Sequence, residues 1–134
     1  MIEFKALPYL NSIIQNSTLL LLIITMKQTE INFKITLDEK GHPEKIEWMA
    51  TDSGVEGLKE AKAFMLSVWD ATDPGTLRID LWNKEMMVEE MKRFVYDTMQ
   101  SLASTYANAT NDEAIAKEIR EFSVSIGKKT GVIG

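Results

Sequence analysis

The chain has 134 residues, with 15 Lys and Arg against 20 Asp and Glu, so its formal net charge is −5 at pH 7. This length favours one domain, and the acidic balance disfavours nucleic-acid binding, whose affinity comes largely from basic side chains on phosphates. The chain has no cysteine and one histidine, which excludes disulfides, thiolate nucleophiles, thiolate zinc sites and multi-histidine metal sites.

The first 25 residues differ in character from the rest of the chain. The apolar run Leu19–Ile24 is far too short for a membrane-spanning helix, which needs roughly 20 residues. A secretory signal is the alternative, but Lys5 is offset by Glu3 and no small-x-small cleavage site comes after the run. We therefore expect residues 1–25 to be an extension outside the native fold, from an upstream start, and Met26 to begin a cytoplasmic protein without a stable membrane span.

Two strands joined by a turn are predicted next. Residues 30–37 and 44–51 alternate apolar and polar side chains, which is the period of a half-buried strand. Between them, residues 38–43 form a turn cluster that contains Gly41 and Pro43. The inward positions of this hairpin are Ile31, Phe33, Ile35, Leu37, Ile46, Trp48 and Ala50.

A helix is predicted over residues 53–69, and a third strand after it. Ser53 and Glu56 fit a capping box, and apolar residues then recur at helical spacing at Leu58, Ala61, Met65, Val68 and Trp69. A turn at residues 73–75 precedes the strand 76–82. That strand points Leu77, Ile79 and Leu81 to one face and Arg78, Asp80 and Trp82 to the other.

Two further helices complete the pattern. A long helix over residues 86–107 has one apolar stripe made of Val88, Met91, Val95, Met99, Leu102 and Tyr106. Thr110 and Glu113 form a second capping box and start the last helix, for which Gly127 is the predicted stop. Its stripe is Ile115, Ile119, Phe122 and Ile126. Residues 128–134 are expected to be a flexible tail.

The predicted element order is ββαβαα, and the predicted fold class is α+β. A small antiparallel sheet, made of a β-hairpin and a third strand, is covered by three helices in one domain over residues 26–127. A domain of this size needs nearly every inward apolar side chain in its core to offset the entropy of ordering the chain. A large internal ligand cavity is therefore not expected, and recognition at the surface fits better.

Candidate catalytic groups have ordinary structural explanations. Asp52, Asp70, Asp73 and Asp80 could include a glycosidase-like carboxylate pair, but the first three lie at helix ends or in a turn, and Asp80 has Arg78 as its neighbour on the strand. His42 lies in a turn, and the chain has no Gly-x-Ser-x-Gly elbow and no Gly-rich phosphate loop. We expect no enzyme, and no catalytic, cofactor-binding or metal-binding residue.

Methionine and aromatic residues suggest a surface for a partner. They form a second apolar lane beside the stripe of the long helix, and flexible thioethers and aromatic rings commonly build adaptable interfaces. The alternative is that the last helix covers this lane. The predicted partner-binding residues are Trp82, Met86, Met87 and Phe94, bordered by Arg78 and Asp80.

Four segments resemble the gliding motility protein GldC family of the Bacteroidetes: residues 43–52, 62–70, 76–82 and 91–94. The resemblance covers about residues 26–127. It implies a small soluble protein without a known reaction, associated with the gliding apparatus or its linked secretion pathway, and it implies no catalytic residue. One departure is Glu85-Met86-Met87, where the family pattern has an Asp-Met-Pro helix entry. Losing that proline lowers the stability of the helix only slightly, because proline there only pre-organises the first turn.

The resemblance and the missing catalytic groups together indicate a non-enzymatic accessory protein. We expect it to bind other proteins of the gliding machinery and to form a homo-oligomer. The alternative is a small-molecule binding module that uses the exposed sheet face with Arg78, Asp80 and Trp82.

Overall fold

The computed structural model describes residues 27–54 and 56–134. The predictions for residues 1–25 and for Met26 as the start lie outside these residues. Backbone contacts divide the described residues into two units, one made of residues 27–32, 49–54, 56 and 57 and the other of residues 33–48 and 58–134. Each unit is described by itself.

The described residues form five strands and then two helices, so the α+β class is confirmed and the order ββαβαα with three helices is wrong. Strands β1, β2 and β3 are neighbours in one sheet, and β4 pairs with β5 in a second sheet. The elements are β1 (Ile31–Leu37), β2 (Pro43–Ala50), β3 (Lys59–Ala61), β4 (Ala63–Trp69), β5 (Thr76–Trp82), α1 (Val88–Thr110) and α2 (Glu113–Lys129).

The smaller unit is held by hydrogen bonds and one ion pair among its described residues. The Thr51 hydroxyl accepts from the Glu30 N–H at 3.0 Å, and the Thr51 N–H donates to the Glu30 carbonyl at 3.1 Å. Lys27 Nζ lies 2.6 Å from Asp52 Oδ1. The Ser53 hydroxyl donates back to the Ala50 carbonyl at 2.8 Å, so Ser53 closes a turn after β2 and does not cap a helix.

The predicted helix over residues 53–69 is wrong, because the chain forms β3 and β4 there with a break at Lys62. Gly54 and Gly57 have φ values of +69° and +73°, a left-handed conformation that a right-handed helix cannot contain. Ala63–Trp69 is an almost continuous apolar run, and such a run fits a strand as well as a helix.

The register of β4 and β5 sorts their side chains onto two faces. Phe64, Leu66 and Val68 lie opposite Leu81, Ile79 and Leu77, so six apolar side chains share one face. The other face carries Arg78, Asp80 and Trp82, as the alternation predicts. Phe64 also stacks on Phe33 of β1, with ring centroids 4.6 Å apart.

The two helices form an antiparallel hairpin with a seam of small residues. Ala103 of α1 and Ala116, Ser123 and Gly127 of α2 are buried. Across the seam Gln100 Nε2 donates to the Ser123 hydroxyl. Small side chains let two helices approach closely, so the large apolar residues of both helices lie beside the seam and not in it.

The boundary between the helices differs from the predicted one. Asn111 ends α1 in the left-handed region, with φ of 57°, which asparagine tolerates well. Asp112 is the N-cap of α2, and its carboxylate accepts from the Ile115 N–H at 3.1 Å. Thr110, the predicted cap, is the last residue of α1. Gly127 does not stop α2 but lies inside it, and the helix ends at Lys129.

The expectation that nearly every inward side chain lies in the core is wrong. Within the described chain, α1 packs on α2 and β4 pairs with β5. Among residues 27–54 and 56–134, the large or small apolar side chains that are fully buried are those of Ile46, Ala103 and Ala116. Large side chains of the predicted core stay exposed on both the strands and the helices, including Val68, Leu77, Ile79, Val88, Leu102 and Phe122. On the helices they are exposed because the helices pack through small residues.

Candidate functional site

A groove of about 500 Å³ lies where the chain passes from β5 into α1. Its walls come from the strand end, from the first turns of α1 and from the end of α2. The residues that line it are Trp82, Met86, Met87, Val88, Met91, Lys92, Val95, Ile126 and Thr130. Three of the predicted partner-binding residues, Trp82, Met86 and Met87, therefore line one concave surface.

Asn83 makes the turn that brings Trp82 close to the two methionines. Its N–H donates to the Lys62 carbonyl at 2.8 Å, and its own carbonyl accepts from the Met86 N–H at 3.2 Å. The side-chain oxygen of Asn83 accepts from the Glu85 N–H at 3.2 Å. Because these bonds use both the backbone and the side chain of a buried residue, the turn is held in one geometry.

Glu90 anchors the methionine end of the groove. Its carboxylate accepts from the Met87 N–H at 2.9 Å and pairs with Lys62 Nζ at 2.7 Å. The hydrogen bond from Lys62, and after it the one from the Met87 N–H, holds the pKa of Glu90 below its usual value. The start of α1 is thus tied to the break between β3 and β4.

The groove presents large apolar side chains to solvent. Trp82 is 57% exposed and Met87 is 64% exposed, so α2 does not cover Met87 as the alternative interpretation required. Met86 and Met91 are half-buried below them. Thioether side chains are unbranched and adapt to irregular shapes, so this surface can accept apolar side chains of different sizes.

The other predicted site residues lie outside the groove lining. Phe94 is half-buried on α1, and its carbonyl accepts from the Thr98 hydroxyl at 2.7 Å. Arg78 and Asp80 pair at 2.7 Å on the face of β5 that carries Trp82. The role of these residues in binding a partner stays a prediction.

Sequence reasoning missed part of the groove. Val88, Met91, Val95 and Ile126 were expected in the core, because they lie on the apolar stripes of two helices. Thr130 has no sequence signal at all. The apolar stripes could have indicated these groove residues. Once the helices are known to pack through their small residues, the stripes must lie beside the seam, where they can line a groove.

A second cavity of about 460 Å³ lies on the other side of Trp82. It is lined by residues of the turn before β2 and by the end of β5, namely His42, Pro43, Asp80, Leu81, Trp82, Asn83 and Lys84. Asp80 and Trp82, two residues of the proposed small-molecule face, therefore border an opening of ligand size.

The candidate catalytic carboxylates are engaged in local structure. Asp70 accepts from the N–H groups of Thr72 and Asp73 at 2.7 and 2.9 Å, and these bonds, with one from the Thr72 hydroxyl, lower its pKa. Asp80 pairs with Arg78. In residues 27–54 and 56–134 no three His, Asp or Glu side chains are grouped so that they could hold a metal ion.

The model of one protein family, described as gliding motility-associated protein GldC-like, matches residues 43–132. The chain belongs to the GldC-like family. The match covers more than half of the chain and includes every residue of the groove. No curated protein and no solved structure matches the chain. Among the described residues, no helix is long and apolar enough to cross a membrane.

Proposed function

We propose that this GldC-like protein works in the cytoplasm by binding other proteins of the gliding motility machinery and catalyses no reaction. The observation that carries the proposal is the groove, in which an exposed tryptophan and methionines form one apolar concave surface. The family relation supplies the link to gliding motility.

The composition of the groove favours a protein partner. Tryptophan and methionine are enriched in the centres of protein interfaces, and a few such residues usually carry most of the binding energy. Trp82 is the last residue of β5, and the next residue, Asn83, is fixed by backbone hydrogen bonds to Lys62 and Met86. The backbone that carries the Trp82 ring is therefore held in place. We therefore expect Trp82 and Met87 to be the principal contact residues.

The test is a comparison of two tryptophans. Trp82→Ala combined with Met87→Ala removes the groove surface, while Trp69→Ala removes another highly exposed tryptophan at the far end of the same face of the β4–β5 hairpin. Tagged proteins are expressed in a gliding bacterium that lacks its own copy, and the co-purified proteins are quantified by mass spectrometry. We expect specific gliding-machinery partners with the wild type and with Trp69→Ala.

The groove variant should lose those partners and should fail to restore gliding. Circular dichroism shows that each variant is folded, which is expected because the substituted side chains are largely exposed. Partners retained at wild-type levels by the groove variant would contradict the proposed surface, and a wild type that recovers no specific gliding protein would contradict the proposed function.

The second cavity supports one alternative, a small-molecule binding module at Asp80 and Trp82. A ligand present at 100 times its dissociation constant stabilises the folded protein by about 2.7 kcal/mol, which a thermal-shift screen detects readily. The alternative predicts a hit whose shift disappears in Trp82→Ala and persists in Trp69→Ala. The protein-binding proposal predicts no such hit.

A further inference from the structure

The β4–β5 hairpin has an apolar face that is partly open to solvent. Phe33 covers its Phe64 end, but Leu77 is 60% and Ile79 52% exposed, and Val68 opposite Leu77 is exposed too. We call Val68, Leu77 and Ile79 the sheet face. An isolated two-stranded sheet is at best marginally stable in water and usually needs a helix packed on it. Val68, Leu77 and Ile79 keep 47–60% of their surface exposed within one copy of the chain, so nothing in that copy covers them fully.

The helical hairpin has an apolar face of its own. Leu102 immediately precedes Ala103 of the seam, and on α2 Ile115 and Phe122 immediately precede Ala116 and Ser123. One residue turns a helix by about 100°, so all three side chains are rotated from the seam in the same sense.

Because the two helices are antiparallel, that common rotation places the side chains on the same side of the hairpin. We call Leu102, Ile115 and Phe122 the helix face. Leu102 is 56% exposed and Phe122 is 62% exposed, and Ile115 is also exposed. These three residues lie outside the lining of the groove around Trp82.

We propose that a second copy of this chain covers both faces, with the helix face of each copy packed on the sheet face of the other. Helices layered on a sheet are the usual way for both elements to bury their apolar sides. One chain carries one face of each kind, so a reciprocal pair leaves neither uncovered and closes as a symmetric dimer.

The size and chemistry of the faces fit a dimer. Six large apolar side chains at about half exposure offer on the order of 600 Å² per copy, so two reciprocal contacts bury on the order of 1,200 Å², which is within the range of stable interfaces. The six residues carry no charge, so the centre of each contact is apolar. The dimer is therefore expected to tolerate a range of salt concentrations.

The test places one lysine on each face and one beside each face. Leu102→Lys and Leu77→Lys put a charge into the helix face and the sheet face. Asn108→Lys, on another side of α1, and Thr76→Lys, on the opposite face of β5, add the same charge elsewhere as matched controls. The molar mass of each full-length protein is measured by sedimentation equilibrium at tens of micromolar.

We expect the wild type and both controls to be dimers, and each face variant to have a dimer dissociation constant raised by about a hundredfold or more. An equimolar mixture of Leu102→Lys and Leu77→Lys should associate more tightly than either variant alone. In that heterodimer the intact helix face of one variant meets the intact sheet face of the other, which restores one of the two contacts.

A monomeric wild type would overturn the proposal. So would a dimeric Leu77→Lys beside a monomeric Leu102→Lys, because that result means that helix face packs on helix face. Circular dichroism confirms that each variant is folded. Trp82→Ala with Met87→Ala should remain dimeric, so loss of the gliding partners and loss of the dimer are separate results.

Discussion

Gly127 of α2 lies so close to the ring of Tyr96 of α1 that a Cβ atom at Gly127 would be 2.9 Å from Tyr96 Cδ2. The same atom would be 3.1 Å from Ile133 Cγ1. This position is inside a helix, where alanine would normally be favoured over glycine by about 1 kcal/mol. Close approach of the helices therefore explains a glycine that the helix itself disfavours.

Gly127→Ala is expected to lower the free energy of unfolding by about 1 kcal/mol. The overlap with Tyr96 costs about 1–3 kcal/mol, which exceeds the gain in helix propensity. Urea unfolding monitored by circular dichroism measures the difference. In a Tyr96→Ala background the overlap with the ring is removed and only the approach to Ile133 remains, so Gly127→Ala should destabilise that variant less than the wild type. A destabilising effect of the same size in both backgrounds would contradict the explanation.

Ser123 is fully buried in the same seam. Its hydroxyl accepts from Gln100 Nε2 and donates to the Arg120 carbonyl at 2.8 Å. Ser123→Ala removes the acceptor and leaves the half-buried Gln100 amide without it, so we expect a loss of about 1–2 kcal/mol in unfolding free energy. Ser125→Ala, at an exposed position of the same helix, is the control and should change stability by less than about 0.5 kcal/mol. Equal effects would show that the buried bond contributes nothing.

Part of the fold could be predicted because local pattern and final environment agree. Strand β5 was predicted with its bounds and both of its faces, since polar and apolar side chains alternate from Thr76 to Leu81. Both helices were predicted, since their apolar stripes run over several turns. The segment of β3 and β4 misled the prediction, because Ala63–Trp69 satisfies both helical and strand spacing. The left-handed φ values of Gly54 and Gly57, which rule out a helix before it, are visible only in the structure.

The packing of the helices could not be predicted from the stripes. Large apolar residues normally mark the core, yet this hairpin is built on Ala103, Ala116, Ser123 and Gly127. The sequence likewise predicted only some of the residues that line the groove. Trp82, Met86 and Met87 are close in sequence and lie together around one turn, whereas Ile126 and Thr130 reach the groove through tertiary structure.

The cap of α2 gives a third prediction. The Asp112 carboxylate accepts from the Ile115 N–H at 3.1 Å, which satisfies one of the free amides at the start of the helix. Asp112→Ala should lower the free energy of unfolding by about 1 kcal/mol. Asp112→Asn keeps an acceptor oxygen, so it should lower the free energy of unfolding much less. If both substitutions cost the same in urea unfolding, the side-chain oxygen does not cap this helix.

Asp38, after β1, is the most connected carboxylate of the larger unit. It accepts from the N–H groups of Lys40 and His42, both at 2.9 Å, and lies 2.6 Å from Lys84 Nζ. The His42 ring nitrogen Nδ1 lies 3.5 Å away. The hydrogen bond from Lys84, and after it those from the backbone, holds the pKa of Asp38 far below its usual range.

A lowered pKa in the folded state means that unfolding takes up a proton at Asp38 in acid. The stabilisation by this carboxylate is therefore fully present above its usual pKa of about 4 and is lost as the pH falls below that value. Asp38→Asn keeps an acceptor for the backbone but loses the charge beside Lys84. We expect this variant to be less stable than the wild type at pH 7, and the difference to shrink steadily below pH of about 4. Urea unfolding across this pH range measures the difference in unfolding free energy. Asp97→Asn is the control, because Asp97 is an exposed carboxylate on a helix. A difference that stays constant with pH would show that the Asp38 charge does not stabilise the fold.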